Sequence, residues 1–150
     1  YTNSPIKYED ATIIHVRLDD VYNNNNNFQS FIGEENLILL INFLLKKFGE
    51  PIYIITTPND RDRKICYDCL KKSKYELEDY YKNIIGSDDV DYDFYLMMTC
   101  RNLIIGGSTF PFIPSILQNN IVYTYEDWEH YRDIIGEDNK SWKIKVLKYF

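Results

Sequence analysis

Two stretches of this chain carry residue types suited to a charged ligand. The first is His15-Val16-Arg17-Leu18-Asp19-Asp20, where an arginine and two carboxylates directly follow an apolar run. A guanidinium is permanently charged and planar, and it gives two parallel hydrogen bonds to one phosphate or carboxylate. The second is Gly106-Gly107-Ser108-Thr109-Phe110, where a glycine pair permits a tight turn and two hydroxyl residues stand ahead of Pro111. That spacing predicts a capped helix start, whose backbone N–H groups and partial positive charge attract anions. An ordinary strand-to-helix turn uses the same residues, so the glycine pair alone does not decide.

Two further motifs carry sharper and plainer readings side by side. Asp91-Tyr92-Asp93 is a D-x-D triplet, the pattern that holds a divalent metal in one large class of sugar-transferring enzymes. Here it opens a helical stretch instead of ending a strand, so helix capping accounts for it better and no metal is expected. Cys66-Tyr67-Asp68-Cys69 is a C-x-x-C with no second pair to complete a zinc site. It lies inside a helical stretch, which reads as two thiols on one helix face; a redox pair belongs where a strand passes into a helix start. Three cysteines form no even framework, which fits a cytoplasmic setting better than a secreted one and leaves localisation otherwise open.

Composition narrows the partners. The chain has 150 residues, 45% hydrophobic and 27% charged, which suits one globular domain with a real core. A net charge of −6 without a lysine and arginine stripe argues against a nucleic-acid partner. No apolar run has the length of a membrane span, and no signal-peptide pattern is visible, so a soluble domain is expected. The chain opens at Tyr1-Thr2-Asn3-Ser4-Pro5 with no methionine, which predicts one domain, residues 1–150, cut from a longer protein with an upstream domain.

The elements that must position these residues alternate in type. Ala11 to Val16 is β-branched and nearly continuous in apolar character, as a strand covered on both faces should be. The asparagine run 23–27 and the residues to Gly33 form a loop, which either closes over the strand end or stands in solvent. Leu37, Leu40, Ile41, Leu44, Leu45 and Phe48 recur at helical spacing until Gly49. Strand 52–57, a helix over 61–74, a short strand at Ile84-Ile85, a helix from Asp91 and a strand at Leu103-Ile104-Ile105 follow. A helix through Ile113, Ile116 and Leu117, a strand over 121–123 and a short helix over 128–135 complete the order, and the tail from Trp142 to Phe150 suits a strand or a helix equally. Strand and helix in alternation predict an α/β fold, a Rossmann-like parallel sheet with helices on both faces, whose ligands lie beyond the carboxyl ends of the strands.

The two stretches together resemble the donor-binding half of the α-1,2- and α-1,6-fucosyltransferase and protein O-fucosyltransferase superfamily. These are GT-B glycosyltransferases whose first motif reads H-x-R-R-x-D. Their later block, D-x-Y-L-M-S-x-C-K-x-x-I-I-x-x-S-[ST]-F-S-W-W, is matched in register by Asp93, Tyr95, Leu96, Met97, Cys100, Arg101, Ile104, Ile105, Ser108, Thr109 and Phe110. The resemblance runs from Ala11 to Leu117. It implies the C-terminal, donor-binding domain of a metal-independent, inverting enzyme that moves fucose from GDP-fucose to a glycan or glycoprotein, with an upstream acceptor domain and no cofactor. Arg17 is then the residue on the donor's β-phosphate, and Gly107, Ser108, Thr109 and Phe110 form the pyrophosphate turn. His15 is either a donor contact or a core histidine, Asp20 orients Arg17 or meets a donor hydroxyl, and Asp93 is either a helix cap or a donor contact. Leu18 replaces the second arginine, Met98 a serine, and Pro111-Phe112-Ile113 the Ser-Trp-Trp, departures that bear on donor and acceptor choice. A Rossmann-like module that binds a nucleotide or a protein without transferring anything is the competing reading.

Overall fold

A computed structural model describes residues 8–18, 33–75, 80–85, 89–106, 110–125 and 144–146. The expected loop around the asparagine run, the helix expected over 128–135, and Asp20, Gly107, Ser108 and Thr109 lie outside the described residues.

Six strands form one sheet: β1 (Thr12–His15), β2 (Ile52–Ile55), β3 (Ile84–Ile85), β4 (Asn102–Ile105), β5 (Val122–Thr124) and β6 (Ile144–Val146). Their order across the sheet is β3-β2-β1-β4-β5-β6, and every neighbouring pair is parallel. The first strand lies in the middle; the chain builds outward to β3, returns to the other side of β1 with β4, and builds outward again. This is the Rossmann-like α/β arrangement, with its topological switch point between β1 and β4. The tail that suited a strand or a helix equally contains a strand, β6.

Four α-helices are seen among the described residues: α1 (Glu34–Phe48), α2 (Asp60–Lys72), α3 (Val90–Thr99) and α4 (Phe112–Leu117). Side chains of a strand point alternately to its two faces, and the apolar residues obey that rule. Ile14, Ile52, Ile54, Ile84 and Ile104 pack with the buried faces of α1 and α2, including Leu37, Leu44, Cys66 and Leu70. Ile13, Tyr53, Ile55, Leu103, Ile105 and Val122 pack with Leu96, Met97 and Cys100 at the buried face and end of α3. Both faces are covered, which is why these strands read as continuous apolar runs.

The element ends correct the sequence reading in three places. Neither Asp91 nor Asp93 caps α3; the N-cap is Asp89, whose side chain accepts from the backbone N–H groups of Asp91 and Tyr92. The cap position of α4 is Pro111, with no side-chain cap hydrogen bond, so the hydroxyl cap expected from Ser108 and Thr109 is not the start of that helix. Gly106 is not in a left-handed conformation, which Gly33 and Gly49 adopt. It is glycine because a Cβ there would overlap the hydroxyl and ring of Tyr125.

The C-x-x-C pair lies inside α2, as its spacing predicts, and all three cysteines are free and buried. Burial pushes the Cys69 thiol up to about 12, with the Glu34 carboxylate adding to it, and burial raises Cys66 as well. Thiols so far from ionisation are poor nucleophiles, so the pair serves packing. No helix among the described residues is long and apolar enough to cross a membrane.

Candidate functional site

The site residues on β1 follow from its alternation. Val16 and Leu18 continue the side occupied by Ile14 and are buried in the α1 and α2 cluster. His15 and Arg17 therefore follow Ile13 to the opposite face, at the carboxyl end of a central strand beside the switch point. Leu18 is fully buried, so the position that would carry a second arginine is part of the core.

His15 is buried among aromatic rings. Its imidazole stacks on Phe110 with ring centroids 5.4 Å apart and an interplanar angle of 23°, and Phe110 in turn meets Phe94 at 5.0 Å in a tilted pair. Burial, with the nearby Arg17 charge, holds the imidazole pKa down to about 4, so it is neutral at physiological pH. The Nδ1 atom is buried and has no hydrogen-bond partner among the described residues. A satisfied core histidine would not leave it so, and such an unmet group costs about 1–3 kcal/mol unless a ligand meets it. The backbone carbonyl of His15 is held differently: the Tyr125 hydroxyl donates to it at 2.9 Å, reaching past Gly106 from the end of β5. Arg17 is half-buried.

Asp93 reaches the same edge from α3. That helix runs back toward the start of β4, so its first turn stands at the carboxyl edge. The Asp93 carboxyl group is buried, and its Oδ1 has no hydrogen-bond partner among the described residues. Burial, helped by the Asp89 carboxylate, pushes its pKa up to about 6. Capping is left to Asp89, and Asp93 is a buried acid in the first turn of the helix.

His15, Arg17, Asp93, Phe94 and Phe110 thus share one face and one edge of the sheet. The arrangement offers a permanent cation, a carboxylate acceptor, an unsatisfied imidazole nitrogen and aromatic surface, a set that suits a molecule with an anionic end and a polar ring. Among the described residues no group of three or more histidine, cysteine or acidic side chains is arranged to hold a metal ion. Sequence reasoning missed Phe94 and Tyr125. Phe94 read as part of an apolar helical stripe, and the role of Tyr125 depends on a contact between residues 110 positions apart. Searches against protein-family models, curated proteins and solved structures find no match to this chain.

Proposed function

We propose that this domain binds the sugar-nucleotide donor of a fucosyltransferase-like GT-B glycosyltransferase, with GDP-fucose as donor and a glycan or glycoprotein as acceptor. The observation that carries the reading is that a half-buried Arg17 and two buried polar atoms with no partner among the described residues, His15 Nδ1 and Asp93 Oδ1, all stand at the carboxyl edge of a Rossmann-like sheet. As the glycosidic bond breaks, the departing diphosphate gains negative charge. A guanidinium already in place stabilises that charge without reorganising. Asp93 accepts N–H or O–H groups of the nucleotide. Guanine presents two adjacent donors, N1–H and the N2 amino group, where uracil presents one, so the carboxylate favours GDP over UDP. The pyrophosphate turn assigned by resemblance to Gly107, Ser108 and Thr109 belongs to this proposal, as does Asp20.

The test is the Arg17→Ala variant titrated with GDP, UDP and their sugars by calorimetry. The parent should prefer GDP, and the variant should lose on the order of 2–4 kcal/mol of binding while keeping its melting temperature. Arg17→Lys should recover only part, since an ammonium lacks the two-pronged geometry. Because Arg17 supplies the charge, EDTA should leave GDP affinity unchanged. Equal affinity for GDP and UDP, or an alanine variant that binds as the parent does, rejects the reading.

One observation favours a second reading. The second arginine of the resembled motif is replaced by Leu18, which is fully buried, so only one guanidinium of that motif reaches the site. A module that binds the nucleotide without transferring its sugar fits this. It predicts GDP binding with no GDP-fucose hydrolysis or transfer by the full-length protein.

A further inference from the structure

The core layer under α3 is closed at one end and open at the other. Toward the amino edge of the sheet, Ala11 before β1 and Cys100 before β4 are fully buried. The partly open members of the same cluster are Ile85, Tyr92, Phe94 and Phe110, and all stand toward the carboxyl edge: at the end of β3, in the first two turns of α3, and after β4. Three of these four are aromatic.

Two of the rings are joined to the polar atoms of that edge by direct contacts. The His15 imidazole stacks on Phe110, Phe110 meets Phe94 in a tilted pair, and Phe94 follows Asp93 in the chain. Phe110 and Phe94 are half-buried. His15 is only 7% exposed and Asp93 only 6%, yet His15 Nδ1 and Asp93 Oδ1 have no hydrogen-bond partner among the described residues. An opening with aromatic walls and a buried carboxylate selects among ligand groups. A phosphate, hydrated on all sides, gains nothing from a phenyl ring. A flat heteroaromatic ring gains twice: its face stacks on the phenyl rings, and its edge brings the N–H groups that the carboxylate lacks.

We propose that Phe94 and Phe110 are the stacking surface of this edge and fix its ligand as a purine nucleotide, with the base against the rings and its hydrogen-bonding edge at Asp93. The inference rests on the donor reading above, which places the diphosphate at Arg17, and adds to it the side chains that choose the base by its rings. A purine lays two fused rings on such a surface where a pyrimidine lays one. Preference for purines therefore comes from the rings as well as from the carboxylate.

The experiment is calorimetric titration of the full chain with GDP, inosine diphosphate and UDP, for the parent and for Phe94→Leu, Phe94→Tyr and Phe110→Leu. Leucine keeps apolar bulk and removes the aromatic face. Each leucine variant should weaken GDP binding roughly tenfold, about 1.4 kcal/mol, and UDP binding less. Phe94→Tyr restores a ring and should bind GDP as the parent does. Inosine diphosphate keeps both rings but lacks the 2-amino group; it should bind the parent more weakly than GDP and lose the same factor in the leucine variants. Proton NMR of GDP with the parent gives a readout that packing alone would not move: the base H8 resonance should shift upfield over an aromatic face, and this measurement stands even where a leucine variant fails to fold. GDP affinity unchanged by both leucine variants, equal weakening of GDP and UDP, or an H8 resonance that does not move upfield overturns the stacking surface. GDP preference that depends on Arg17 but on neither ring leaves the donor reading standing without it. Ring-dependent purine binding that survives Arg17→Ala unchanged rejects the donor reading and keeps the stacking surface, and absence of binding by all three nucleotides overturns both.

Discussion

The two edges of this sheet are built on opposite terms. At the amino edge the buried polar side chains among the described residues have their work assigned within the protein. Tyr75 accepts from the Ile52 backbone N–H at 3.2 Å, and Asn83 donates to the Ile52 carbonyl at 2.7 Å and to the Tyr75 hydroxyl at 3.1 Å, closing a buried triangle at the start of β2. Gln118 donates to the Met97 and Cys100 carbonyls at 2.8 and 3.0 Å, satisfying the end of α3. Asn102 donates to Thr12 across the start of β1 and β4. At the carboxyl edge, four buried polar atoms have no partner among the described residues. Buried polar groups in folded proteins are almost always paired, and the proposed ligand site would account for exceptions gathered at one edge.

The comparison breaks most easily where the amino edge is strongest. Gln118→Ala removes the donor that serves two buried carbonyls and leaves a void, and it should cost about 2–4 kcal/mol of stability. Chemical denaturation checks it. A loss below about 1 kcal/mol would mean that water replaces the glutamine easily and that the amino edge is less self-contained than its hydrogen bonds indicate.

Much of the fold was legible in the sequence, and the physical reason for the remainder is specific. The order of strands and helices followed from apolar runs and helical periodicity, because both faces of the sheet are covered and every strand had to be apolar throughout. The position of Arg17 was legible because a charge placed directly after a buried strand stands at the carboxyl edge of an open α/β sheet. The cap of α3 was not: Asp88, Asp89, Asp91 and Asp93 all suit a helix start, and only the backbone selects Asp89. Gly106 read as a turn residue, since nothing local reveals the Tyr125 ring against it. Arg63 was not singled out within the helix expected over 61–74, at whose start the charges alternate as Asp60-Arg61-Asp62-Arg63. Which of those charges is paired depends on side-chain geometry that spacing does not encode.

A second prediction sharpens the contrast through pH. Asp93 holds its proton in the folded protein up to about pH 6, against 3.8 for its ordinary value, so its contribution to stability falls as pH rises through that window. His15 resists protonation until about pH 4, against 6.5 ordinarily, so its contribution falls as pH drops from 6.5 toward 4. The two slopes oppose each other, and the parent should show a nearly flat stability between about pH 4 and 6. Asp93→Asn should expose a decline toward acid, and His15→Phe, which keeps a ring against Phe110, a rise toward acid, each on the order of 2 kcal/mol. Melting temperatures across that range check it. A parent that already slopes steeply, with neither variant changing the slope, would place the titrating groups elsewhere.

The smallest expected effect concerns a strong hydrogen bond that the carboxyl edge does make. Tyr125 donates to the His15 carbonyl at 2.9 Å and packs its ring where Gly106 lacks a side chain, so the ends of β1, β4 and β5 are tied by one residue. Tyr125→Phe keeps the ring and removes the hydroxyl, which should cost about 1 kcal/mol of stability. Under the proposed function the same change should weaken GDP binding by more than it weakens the fold, because the freed carbonyl lies two residues from Arg17 and a loosened strand end no longer presents the guanidinium in a single orientation. Gly106→Ala attacks the same contact from the other side by forcing the ring outward, and the two variants should be non-additive, since either alone already undoes the tie. If Tyr125→Phe lowers stability yet leaves GDP affinity at the parent value, the tie is a packing device. The carboxyl edge would then keep its strand ends in place without it.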